Sequence, residues 1–119
     1  MAGRNVWAIG VDSDQYEEGL YSDTESAVLT SMLKRVETSL VYALEAVQNN
    51  TFEGELITFD LVQEGVGYST ANAALSNSIV IQLEAIKQQI ISGEIVIAQT
   101  YEDAKRLPGF PQNLKALDN

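Results

Sequence analysis

The most constraining stretch is Val6-Trp7-Ala8-Ile9-Gly10-Val11-Asp12-Ser13-Asp14-Gln15, where an apolar run reads straight into two carboxylates. A run of this kind with β-branched residues suits a strand covered on both faces, as in parallel sheets. Asp12 then stands just past the strand's carboxyl end. In open α/β sheets ligands bind at that edge, because strand ends and helix N-termini leave a crevice there.

The rest of the chain alternates in period. Residues 12–26 form an acidic, turn-prone and exposed loop. Residues 27–33 read as a second strand that delivers Lys34 and Arg35 at its end. Val36, Leu40, Val41, Leu44 and Val47 fall at helical spacing and predict an amphipathic helix to about Asn49, its apolar stripe a core face. Residues 56–62 predict a third strand, and Glu64-Gly65-Val66-Gly67 a tight bend or close backbone approach. Leu75, Ile79, Leu83, Ile86 and Ile90 define a second helix, with Asn72 or Ser69 as candidate caps and Gly93 as its stop. Residues 95–98 read as a short terminal strand. Residues 99–119, with Pro108 and Pro111, form a loop-rich tail.

This order predicts an α/β fold of three to four mostly parallel strands with two main helices. A free-standing parallel sheet needs more helical cover than two helices give, so the chain reads as an incomplete α/β unit.

Composition narrows the chemistry. The 119 residues contain no Cys and no His, which excludes thiolate nucleophiles, imidazole bases, disulfides and the usual structural zinc sites. A net charge of −10 repels phosphate backbones, so nucleic acid is not an expected partner. No secretory signal opens the sequence as given and no segment reaches the ~20 apolar residues of a membrane span. Expressed as written, the product is expected in the cytoplasm.

Asp12-Ser13-Asp14 admits three readings. A strand-end carboxylate can accept from two adjacent hydroxyls, as in the grip on a ribose or other vicinal diol. Two Asp residues could instead hold Mg²⁺, although the calcium-loop template fails at Tyr16 and Glu17 and no phosphate-binding glycine loop is present. The plainest reading is a solvated acidic turn. Lys34 ends an apolar strand, so its ammonium emerges at a defined place, where it could donate to a ligand oxygen or simply sit at a helix entrance. Arg35 carries the same ambiguity. Backbone N–H groups near Gly65 and Gly67 could reach a ligand, but turns of this kind are common without one. Catalytic residues do not emerge: no triad can be assembled without His, and a small enzyme using Asp12 and Asp14 lacks a nucleophile and oxyanion donors.

Four motifs, Ala8-Ile9-Gly10-Val11-Asp12-Ser13-Asp14-Gln15, Leu29-Thr30-Ser31-Met32-Leu33-Lys34-Arg35-Val36, Glu64-Gly65-Val66-Gly67 and Ile90-Ile91-Ser92-Gly93-Glu94-Ile95, occur in the order and spacing of the basic membrane protein family. The sequence resembles the C-terminal part of these purine-nucleoside-binding lipoproteins of bacterial ABC uptake systems. The resemblance runs from Val6 to Val96 and implies residues 1–98 of a two-lobed, type I periplasmic-binding-protein fold, containing pieces of both lobes, with residues 99–119 as the unmatched tail. It also implies no catalysis; no cofactor and no metal are expected. Asp12 corresponds to the family's ribose-gripping aspartate and Lys34 to its ribose-contacting lysine. Ser13, Asp14, Gly65 and Gly67 are secondary ligand candidates.

The partners implied are a purine nucleoside and, for a full-length protein, an ABC permease at the cell envelope, in the periplasm or on the outer face of the plasma membrane. The family's lipoprotein signal, most of its first lobe and its base-stacking aromatics lie upstream of the matched region, so this stretch is expected to hold about half a cleft. Two other readings stay open: a cytosolic ligand-sensing or regulatory relative, and an assembly module whose sheet edge pairs with another chain or copy.

Overall fold

The computed structural model describes residues 6–109. The chain falls into two compact units that divide after Leu83. The first unit holds a three-stranded sheet of β1 (Ala8–Asp12), β2 (Val28–Lys34) and β3 (Val66–Tyr68), in the order β1-β2-β3. β1 and β2 run parallel, with Gly10 opposite Ser31 and Asp12 opposite Leu33. β3 runs antiparallel to β2, pairing Val66 with Lys34 and Tyr68 with Met32. The first two strands lie where β-branched and apolar residues predict them, and residues 13–27 between them give the chain the length that a parallel pairing needs.

β1 is not covered on both faces: it is an edge strand, and Ile9 and Val11 are 62% and 61% exposed. Residues 56–62 do not form a strand either. Short polar side chains capture the backbone there: Asp60 accepts from the Val62 N–H at 2.7 Å, and Gln63 from the Asp60 N–H at 3.3 Å. The Gly65 N–H donates to the Asp60 carbonyl at 2.8 Å, closing the turn that feeds β3. Such local bonds compete directly with a sheet ladder. Gly65 provides the expected close approach, since a Cβ there would collide with the Phe59 backbone.

α1 (Val36–Gln48) follows β2 after one residue. Its helical spacing is as read, but no residue of it is buried, and Val36, Leu40, Val41, Leu44 and Val47 are all exposed. The stripe is apolar without being a core face, because α1 does not pack on the sheet. The segment after it does return to the helix, where the Phe59 and Tyr42 rings meet edge to face at 5.5 Å.

Among the described residues the buried apolar side chains are Val28 and Leu75. Small polar residues fill the rest of the interior: Ser26, Ser31, Ser69 and Asn72. Asn72 does not cap a helix. Its Nδ2 donates to the carbonyls of Val28 at 2.8 Å and Ser26 at 3.3 Å, and its Oδ1 accepts from the Ala74 N–H at 2.9 Å. Ser69 is likewise engaged in the interior, donating its N–H to the Ser31 carbonyl at 2.9 Å.

α2 (Asn77–Ile91) leads out of the first unit and stops as expected at Gly93, whose φ of +78° is a left-handed conformation that suits glycine. Residues 95–98 form no strand; the Ile95 N–H instead donates back to the Gln89 carbonyl at 3.0 Å. Beyond them lies α3 (Tyr101–Ala104), capped by Thr100, whose side chain accepts from the Asp103 N–H at 3.1 Å. Pro111 and the rest of residues 110–119 lie outside the described residues.

Candidate functional site

Asp12 ends β1 in an uncommon backbone state, with φ of 72°. The Ser13 N–H donates to the Val11 carbonyl at 3.0 Å, so three residues close a γ-type turn around Asp12. Turns with a positive central φ are rare and strained for a residue with a side chain, and persist only where the surroundings over-determine them.

Those surroundings are specific. The Val11 N–H donates to Oε1 of Gln15 at 2.9 Å, and the Gln15 N–H donates to the Ser31 hydroxyl at 3.0 Å. Ser31 has no solvent exposure and lies opposite Gly10 across the parallel pair. A Cβ on Gly10 would collide with the Ser31 hydroxyl and stand 2.7 Å from Gln15 Oε1, so glycine is what lets the network close. Further along the loop, Asp14 uses both carboxylate oxygens. Oδ1 accepts from the Tyr16 N–H at 3.1 Å and Oδ2 from the Ser69 hydroxyl at 2.7 Å.

An open groove of about 610 Å³ lies at the carboxyl ends of the parallel strands, lined by Asp12, Lys34, Arg35, Ser39, Phe59 and Gly65 among others. The structure therefore brings Asp12, Lys34 and Gly65 to one place. Ser13, Asp14 and Gly67 do not line it. Asp12 and Lys34 are exposed, and among the described residues neither side chain has a hydrogen-bond or ion-pair partner. An acceptor and a cation thus stand ready on neighbouring strands. Arg35 is half-buried, and its Nε is buried without a partner; a Cβ on Gly67 would come within 3.3 Å of it, so Gly67 makes room for the guanidinium.

Sequence reasoning passed over Gln15, Ser31, Ser39 and Phe59. The glycine inside the β1 pattern was a signal for a close approach, but nothing in the spacing showed that Ser31 and Gln15 approach it. Among the described residues no group of three or more Asp or Glu could hold a metal ion. No described helix is long and apolar enough to cross a membrane.

A parallel strand pair whose carboxyl ends open on a groove, with a carboxylate and an ammonium unengaged at the rim, defines part of an α/β ligand-binding protein. Residues 2–101 match the PnrA-like ABC transporter substrate-binding proteins, the Bmp family, and the chain belongs to that family. Its members are binding proteins and not enzymes. Two proteins named CD4+ T-cell-stimulating antigen, from Listeria monocytogenes and Listeria innocua, are each 31% identical to it over 101 residues. That stretch covers 81% of this chain and 28% of each relative, so the chain spans little more than a quarter of their length. A crystal structure of ABC transporter system solute-binding proteins from Aeropyrum pernix K1 matches with a TM-score of 0.56 at 23% identity, over 81% of this chain and 34% of that one. The fold is thus part of a periplasmic-binding-protein fold.

Proposed function

We propose that this chain supplies one part of the ligand cleft of an ABC-type substrate-binding protein and that this part grips the ribose of a purine nucleoside. The supporting observation is Asp12 at the carboxyl end of β1, its backbone held at φ 72° and its carboxylate without a partner among the described residues, sharing a groove with Lys34. A carboxylate in that position accepts from two vicinal hydroxyls while the ammonium donates to a ribose oxygen. Charge-assisted bonds of this type are about twice as strong as neutral ones. In a full-length protein the loaded cleft would serve an ABC permease at the cell envelope.

Only part of the cleft is present, so the chain alone holds nucleosides weakly. Calorimetric titration with adenosine, guanosine and inosine tests this directly. The expected result is binding too weak to fit, well above the micromolar range; micromolar affinity would overturn the partial cleft.

A second reading is favoured by one observation: β1 presents a free edge with Ile9 and Val11 exposed, and the α1 stripe is uncovered. Unpaired edges and apolar faces of this kind suit assembly with another chain or copy. Light scattering behind size exclusion separates the two readings, since a strict monomer at high concentration removes self-assembly.

A further inference from the structure

We infer that Gln15 and Ser31 are positioning residues for Asp12: by clamping the turn after β1 they hold its carboxylate ready for a diol before any ligand arrives. The inference rests on the ribose reading of Asp12 for its last step, and on geometry alone for the rest.

Three bonds carry it. Ser31 is wholly buried on the central strand, which makes its hydroxyl a fixed point. It accepts from the Gln15 N–H at 3.0 Å, which fixes the loop's return to the sheet. The Gln15 side chain then reaches back four residues to accept from the Val11 N–H at 2.9 Å. Val11 and Ser13 flank Asp12, and the Ser13 N–H already closes on Val11. Asp12 is therefore the centre of a turn held from both sides, while its own side chain takes no part in the holding. Neither Gln15 nor Ser31 lines the groove, so neither touches the ligand.

The Ser31–Gln15–Val11 chain also explains how a positive φ survives at a non-glycine position. An aspartate free to relax would leave that region and swing its carboxylate away. Preorganisation of this kind raises affinity by removing the ordering cost at the moment of binding.

The test compares the intact chain with Gln15→Ala, Gln15→Glu and Ser31→Ala. Glutamate keeps an acceptor oxygen at the same reach, so it is the conservative rescue. Two readouts are taken by NMR: amide exchange of Val11 and Ser13 in the free chain, and the chemical-shift response of Asp12 to inosine. The expected result is faster exchange at both amides in Gln15→Ala and Ser31→Ala, with inosine binding weakened roughly tenfold, the scale of a lost hydrogen bond. Gln15→Glu restores exchange and response together. Unchanged exchange and response in Gln15→Ala, or failure of Gln15→Glu to restore them, would overturn the inference. A wild-type chain whose Asp12 ignores the ribose hydroxyls would remove the ribose reading and with it the ligand step. The exchange comparison would still decide whether Gln15 and Ser31 fix the turn.

Discussion

The Ser69 hydroxyl donates to Oδ2 of Asp14 at 2.7 Å, tying the loop after β3 to the loop after β1 across 55 residues of sequence. Asp14 is thereby committed to the fold. Ser69→Ala or Asp14→Ala should destabilise the chain by about 1.5–3 kcal/mol in urea unfolding, the range for a hydrogen bond to a charged group. The double variant should lose less than the sum, because the two residues act through one bond. Additive losses would show that they act independently.

Gly10 and Gly54 form a matched pair. A Cβ on Gly10 meets the Ser31 hydroxyl and Gln15 Oε1, whereas a Cβ on Gly54 meets nothing within 4 Å. Gly10→Ala should therefore lose about 1–3 kcal/mol to overpacking. Gly54→Ala should be neutral or gain up to about 1 kcal/mol by stiffening the unfolded chain. Denaturant midpoints at unchanged slope provide the comparison.

Asp12 trades stability for its position. With φ of 72°, Asp12→Gly should stabilise the chain by about 0.5–1 kcal/mol while removing the carboxylate from the groove. A gain in melting temperature alongside loss of every ribose-dependent shift is the expected pair of results. A loss of stability would instead mean that the side chain supports the fold.

Asn72 anchors the chain entering β2. Its amide serves two carbonyls and one N–H from a buried position, so Asn72→Ala takes a partner from the carbonyls of buried Ser26 and Val28 and from the part-buried Ala74 N–H. A loss of about 2–3 kcal/mol is expected in chemical unfolding. A change below ~0.5 kcal/mol would mean that water replaces those bonds.

Local signals found the local structure. Helical spacing placed α1 and α2, the apolar run placed β1, and Gly93 placed a stop. The strand expected at residues 56–62 failed because Asp60 and Gln63 offer the backbone nearer partners than any strand does. The burial expected for β1 and α1 failed for a different reason: apolar pattern states that a face needs cover, not which segment supplies it. Asp12, Lys34 and Gly65 were legible at the groove because strand ends and glycines have positional meaning. Gln15 and Ser31 were not, since a clamp across two chain segments leaves no trace in the spacing of either. Asp14 stood beside Asp12 as a secondary candidate, and the bonds that its carboxylate accepts from Tyr16 and Ser69 commit it to the fold instead.

The proposed function stands on Asp12 and Lys34 gripping a ribose. NMR titration of the intact chain with inosine and with 2′,3′-dideoxyinosine tests it most directly, because the two differ only in the hydroxyls at issue. The account predicts shifts at Asp12 and Lys34 with inosine that vanish with the dideoxy compound and with Asp12→Ala. Equal shifts from both compounds, or shifts confined to residues outside the groove, would contradict it.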